Sequence, residues 1–295
     1  MHRKFFVAML MLTNVSKIKV RGSKTLLQNA LYFTIHAMAQ RISGLSFRGR
    51  IFLFMAVCLI SDVAFPEELL VAVASNFSGP MSELAERFEA LTGHEIKVAY
   101  GSSGRLFTQI STGAPFQIFL SADQGKPARL VELGLADPAS RFTYAIGELV
   151  LWSAVRDRKV ADSNALLNSG VIRIAIANPR HAPYGVAAVE VLDKLDLSAT
   201  LSGKIVRGEN VAQAFQFVES GNAQLGFVAR SQVLSLAESR SGSTWVIPGH
   251  FYQSIRQDAV LLNQATDCPA CSEFLNFLRE EAQRALISAY GYRVE

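Results

Sequence analysis

The sequence predicts an α/β protein in which mostly parallel sheets are covered by helices. Three observations carry that prediction. From Leu69 onward, short apolar runs alternate with segments whose apolar residues fall at helical spacing. Glycines stand where the helices should stop, at Gly93, Gly113 and Gly134. The Ser-, Asn- and Gly-rich clusters fall after strands rather than inside them, as connections of a β-α-β order require.

Residues 69–74 form an apolar run short enough for a buried strand. Met81, Leu84, Ala85, Phe88 and Leu91 then make a helix stripe that ends at Gly93. Residues 96–100 are a strand. Leu106, Phe107 and Ile110 mark a helix closed by Gly113, Ala114 and Pro115. A strand at 116–120 and a helix around 128–133 complete the first set. A second set begins near Gly147, with strands at 148–155 and 171–177 and a helix at 186–195. Ile205 and Val206 are a short strand, Val211, Phe215 and Val218 a helix stripe, and residues 224–228 a buried strand. Residues 245–248 and 255–262 are read as strands, and 272–288 as one last helix. No repeat and no long linker separates the two sets, so strands rather than a tether should join any two lobes.

Composition narrows the function. The chain has 295 residues, half of them apolar, enough for one core or two small lobes. The net charge of +4 is uneven, because no Asp or Glu precedes Asp62 while Lys and Arg crowd the leader. The basic balance therefore says little about nucleic acid, which needs a basic face on the folded domain. Arg48 and Arg50 precede an apolar run at 51–60, followed by Ser61, Asp62, Val63, Ala64 and Phe65. This is the order of a signal peptide, with cleavage expected near Ala64. The run is shorter than the roughly 20 residues of a membrane span. Residues 1–37 are not needed by that signal, and Met38 is the better start; the alternative is one anchored N-terminal helix. Of three cysteines, Cys58 lies in the leader, and bulky Val57 before it argues against a lipoprotein. Cys268 and Cys271 have neither a second Cys pair nor a nearby His, so a disulfide is expected rather than a metal site.

Four clusters follow predicted strands: Ala74-Ser75-Asn76-Phe77, Gly101-Ser102-Ser103-Gly104, residues 178–185, and Glu209-Asn210-Val211. Ligands of open α/β sheets bind at the carboxyl ends of strands. Each cluster alone reads as a helix cap. Together they offer neutral donors and exposed N–H groups, which suit an anion. The Gly-Ser-Ser-Gly loop lacks the Gly-Lys-Ser/Thr ending of a nucleotide loop. No Gly-x-Ser-x-Gly elbow supports a hydrolase built on Ser103. His94, after a helix-ending glycine, reads as a surface residue; His181 reads as structural, and His250 as part of a turn. Asp123 reads as a helix cap, and Phe142, Tyr144 and Trp152 as core or lobe-crossing strand.

The motifs Ala-Ser-Asn at 74–76, Gly-Ser-Ser-Gly-Arg-Leu at 101–106 and Gln-Ile-Ser-Thr-Gly-Ala-Pro at 109–115 resemble those of the periplasmic molybdate-binding proteins. So do Phe-Leu-Ser-Ala-Asp at 119–123, Pro-Arg-His-Ala-Pro-Tyr-Gly at 179–185 and Glu-Asn-Val at 209–211. The resemblance covers nearly all of 69–295. It implies a two-lobed type II periplasmic binding protein fold, with a mixed, mostly parallel sheet flanked by helices in each lobe. Lobe one would comprise 69–146 plus 257–295, and lobe two 147–256, with the ligand in the interlobe cleft and a hinge of two crossing strands. By motif position the ligand contacts would be Ser75, Asn76, Ser103, Tyr184 through its backbone N–H, and Val211 through its backbone. Some members add a Tyr where this chain has Ala229, so Ala229 is left out of the site.

The resemblance implies capture of molybdate, with tungstate as a near isostere, and delivery to the permease of an ABC importer. It implies no catalysis, no cofactor, no protein ligand to molybdenum itself, no nucleic acid, and a periplasmic monomer. The readings weighed against it are a receptor for another oxyanion such as sulfate, a secreted serine hydrolase, and an effector domain of a regulator. The export signal and the missing DNA-binding module oppose the last.

Overall fold

The computed structural model describes residues 66–265 and 267–295. The expectations about the leader (residues 1–64, the start at Met38, Cys58, and cleavage near Ala64) lie outside these residues.

The chain enters as β1 (Glu68–Ala74), a single 3-10 turn (Ser75–Phe77) and α1 (Ser78–Thr92). Gly93 stops α1 with φ 76° and donates its N–H to Glu89 O, a left-handed cap that favours glycine. Then come β2 (Glu95–Gly101), α2 (Ser103–Ser111), β3 (Ile118–Leu120), α3 (Gly125–Glu132) and β4 (Phe142–Gly147). The second set is β5 (Leu149–Ser153), β6 (Ile174–Ala177), α4 (Pro183–Lys194), α5 (Ser198–Leu201), β7 (Ile205–Gly208), α6 (Val211–Glu219), β8 (Leu225–Ala229), α7 (Arg230–Leu234) and β9 (Ser243–Val246). The chain returns through β10 (Ile255–Leu261) and closes with α8 (Pro269–Phe277) and α9 (Glu281–Ala289).

Two five-stranded sheets result, in the orders β2-β1-β3-β10-β4 and β7-β6-β8-β5-β9. In each, three parallel strands are followed by antiparallel ones. Strand periodicity explains the layers of the first sheet. Leu69, Val71 and Val73 of β1 pack in a cluster with Met81, Leu84 and Phe88 of α1 and Phe274 and Ile287 of α8 and α9. Ala72, between them, packs in a cluster with Leu106, Ile110 and Leu130 of α2 and α3. Successive residues face opposite sides, so helices cover both faces. In the second sheet, Trp152 of β5 stacks on Phe215 of α6 with ring centroids 4.6 Å apart.

The last helix departs from expectation. Residues 272–288 are two helices, α8 and α9, because Glu280 is extended at the N-cap of α9. Arg279 is held there by tertiary contacts: its guanidinium lies 3.9 Å over the Phe142 ring and Nη2 donates to Ser140 O at 3.2 Å. Helical periodicity does not register such an anchor. Cys268 and Cys271 are disulfide-bonded at the start of α8. His94 is not a surface residue. It is buried, its Nδ1 accepts from the Glu67 N–H at 3.0 Å, and its Nε2 lies 3.5 Å from the Glu273 carboxylate. The neighbouring helix α8 covers it, which a local reading of Gly93-His94 does not reveal.

Candidate functional site

The register of the parallel strands lines up the site. Ala74, the last residue of β1, pairs with Gly101, the last of β2; Ala177 of β6 pairs with Gly208 of β7. Each strand then releases its chain into a helix at the same edge. The carboxyl edges of the two sheets meet around a cavity of about 10 Å³ lined by Ser75, Asn76, Ser102, Ser103, Tyr184 and Val211, with Ala122 and Asn210 among the rest. All five residues expected from sequence therefore come together. Pockets for drug-sized ligands measure about 300–1,000 Å³, so this cavity excludes any solute of that size.

Its chemistry is uniform, for no charged side chain lines it. Ser103 Oγ accepts the Ala122 N–H at 2.9 Å, which orients the hydroxyl and leaves its proton free to donate. Val211 is the first residue of α6, and the N-cap Asn210 accepts the Gln213 N–H at 3.0 Å, so the Val211 N–H has no partner within the helix. Tyr184 lies in the first turn of α4 behind Pro183. Its hydroxyl accepts from Gln257 Nε2 at 3.5 Å.

Asn76 departs from the expectation of a side-chain donor. Its amide nitrogen donates to Gln257 Oε1 at 2.8 Å and to Tyr292 Oη at 3.0 Å, so both hydrogens are engaged. Behind the cavity these bonds extend into a network. Tyr292 donates to Asn76 O at 2.7 Å, Ser231 Oγ donates to the same carbonyl at 3.0 Å, and Tyr144 donates to Gln257 Oε1 at 3.1 Å. Burial pushes the phenols of Tyr144 and Tyr184 well above the ordinary tyrosine range, and that of Tyr292 up to about 12. All three are neutral hydrogen-bonding groups. A β-bulge between Gln257 and Asp258 lets both buried polar side chains find partners, Gln257 in this network and Asp258 beside Arg141 and Thr143. Gly147 is needed here: a Cβ at that position would stand 2.1 Å from Tyr184 Oη.

Sequence reading missed Gln257, Tyr292, Ser231 and the Ala122 N–H. Gln257-Asp258, a polar pair inside an apolar strand, was the one visible signal. Tyr292 carried none, because only the return of the C-terminal segment brings it to Asn76.

The two sets touch across the cavity rim. Gly104 donates its N–H to His181 O at 2.8 Å, and the exposed Arg105 guanidinium lies 3.6 Å from the Glu209 carboxylate. Arg180 and His181 line an adjoining, larger groove of about 290 Å³ with Asp123, Lys126, Glu190 and Arg256, and neither is among the residues lining the neutral cavity. With no His, Asp or Glu at Ser103, a triad has no parts. Among the described residues, no three His, Cys, Asp or Glu side chains group as a metal site. Ala229 lies outside the cavity and caps α7, its N–H donated to Gln232 Oε1 at 3.0 Å.

Two α/β halves joined by strands around a small cavity of neutral donors have the form of a two-lobed solute receptor. Comparison with known proteins narrows this further. The family of bacterial extracellular solute-binding proteins matches residues 69–293. A molybdate-binding protein ModA of Rhodobacter capsulatus is 44% identical over 243 residues, covering 81% of this chain and 95% of that protein. One from Azotobacter vinelandii is 44% identical over 248 residues, covering 84% and 98%. The solved periplasmic molybdate-binding protein of Azotobacter vinelandii superposes with a TM-score of 0.74 at 40% identity, over 77% of this chain and 99% of that one. The chain belongs to the molybdate-binding branch of the bacterial extracellular solute-binding proteins.

Proposed function

We propose that this protein captures molybdate, and tungstate as its near isostere, in the periplasm and delivers it to the membrane permease of an ABC importer. The observation that carries the reading is the cavity itself. It is small, free of charged side chains, and edged by an oriented serine hydroxyl and the first turns of α4 and α6. A tetrahedral dianion presents only acceptors, and converging O–H and N–H donors satisfy it with charge-assisted bonds of about 1.5–3 kcal/mol each. A phosphate that carries a proton at neutral pH also brings a donor, and no carboxylate lines the cavity to accept it. Sulfate shares the dianion's charge, so discrimination against it rests on cavity size.

In this reading the protein works as a monomer whose lobes, 69–146 plus 257–295 and 147–256, rock together over the anion. The closed rim is then the signal that the permease reads. The test is calorimetric titration of residues 65–295 with molybdate, tungstate, sulfate and phosphate. Molybdate and tungstate should bind far more tightly than the other two. Sulfate binding as tight as molybdate would reduce the assignment to a general oxyanion receptor.

A further inference from the structure

Ser102 stands at the N-cap of α2, where a serine side chain ordinarily accepts an N–H from the first turn. It makes no such bond. Its Oγ is buried and without a hydrogen-bond partner. Two other buried side-chain atoms among the described residues share that condition, Arg158 Nε and Gln283 Oε1, and neither residue lines the cavity. Ser102 does line it, beside Ser103. A buried hydroxyl left unpaired is costly, and in native proteins it asks for a specific explanation. The neighbouring serine supplies a contrast: Ser103 Oγ is already held by the Ala122 N–H, whereas Ser102 Oγ is held by nothing.

We propose that Ser102 Oγ is a second serine donor to the bound oxyanion, and that the bond it lacks in the protein alone is the one the ligand completes. The proposal rests on the oxyanion reading of this cavity. A donor without a protein partner has no competing bond to break on binding, so its whole contribution falls on the complex. Ser102 would then add to affinity without adding to the stability of the unliganded fold. A serine that merely packs at the helix start would do the reverse.

The experiment is a Ser102→Ala variant, titrated with molybdate by calorimetry and melted with and without molybdate. The expected result is a Kd raised by about tenfold or more, the size of one lost hydrogen bond to a charged group. The unliganded Tm should be unchanged or higher, because the orphaned hydroxyl is gone. An unchanged Kd overturns the proposal. So does a fall in the unliganded Tm large enough to account for the weaker binding, which would make Ser102 structural. If the unmodified protein itself fails to bind molybdate, the functional reading falls, an outcome distinct from unmodified binding with a silent Ser102→Ala.

Discussion

At the scale of single residues, hydroxyls and backbone N–H groups should govern affinity, and nearby charges should not. Ser103→Ala should cost about 1.5–3 kcal/mol of molybdate binding, the range for one hydrogen bond to a charged group. Arg105→Ala should cost less than about 1 kcal/mol, since its pairing with Glu209 is exposed and screened. Titration of both variants checks this, and loss of binding in Arg105→Ala with a silent Ser103→Ala would reverse the account. Asn76→Ala should behave differently from Ser103→Ala. It strips partners from Gln257 and Tyr292, so it should lower the Tm of the unliganded protein as well as affinity. Gly104→Ala tests closure: a Cβ there would stand 2.9 Å from His181 Cα and 3.0 Å from its carbonyl oxygen, both backbone atoms that cannot swing away. Binding should weaken severely while circular dichroism stays native. That Ser75, Asn76, Ser103, Tyr184 and Val211 line one cavity was legible from their motifs, because they follow strands in short local segments. The network behind them was not, because Asn76 and Tyr292 lie 216 residues apart in the chain.

At the scale of elements, the anion is expected to sit against the first turns of α4 and α6, where the N–H groups of Tyr184 and Val211 have no carbonyl one turn back in the helix. Such dipoles act at contact range inside a cavity, where salt screens poorly. Molybdate affinity should therefore fall only modestly between low and high salt, by well under tenfold beyond the change in ion activity. A steep salt dependence in titration would point to a charged side chain on the ligand. Helices and strands with strong periodicity were read correctly to within a few residues. Strand ends were over-read, 116–120 shrinking to Ile118–Leu120 and 171–177 to Ile174–Ala177. Apolar residues continue past the last ladder bond, and only the partner strand decides where pairing stops. The split of the last helix had a cause of the same kind, the anchoring of Arg279 on β4.

At the scale of the whole molecule, the buried tyrosines link stability to alkaline pH. Tyr292 ionises near 10 when unfolded but near 12 in the fold, because burial disfavours the phenolate. The stabilisation is complete below about pH 10 and is lost as pH rises through about 12. Tyr144 and Tyr184 shift in the same direction. Thermal melts from neutral pH to pH 12 should show Tm falling steeply above about pH 10. Tyr292→Phe should lower Tm at neutral pH and flatten that alkaline fall. A Tyr292→Phe profile parallel to that of the unmodified protein would remove Tyr292 from the linkage. Ligand should also stabilise the whole fold, because the cavity is lined from both sheets. Molybdate at one hundred times its Kd should add about 2.7 kcal/mol to unfolding, read as a rise in Tm that sulfate at the same concentration does not reproduce.

The sequence by itself determined the alternation of strands and helices, the glycine stops, and the loops that carry Ser75, Asn76, Ser103, Tyr184 and Val211. These are properties of local periodicity and of short motifs, which a chain displays before it folds. The tertiary structure decided that both sheets set three parallel strands beside antiparallel ones although the sequence contains no repeat. It also decided that Asn76 is held from behind by Gln257 and Tyr292, that His94 is buried, and that Ser102 carries a hydroxyl with no protein partner. Each of these depends on groups brought together from distant parts of the chain. Hydrogen-bond satisfaction is a property of neighbours in space, and no local pattern of residues encodes who those neighbours are.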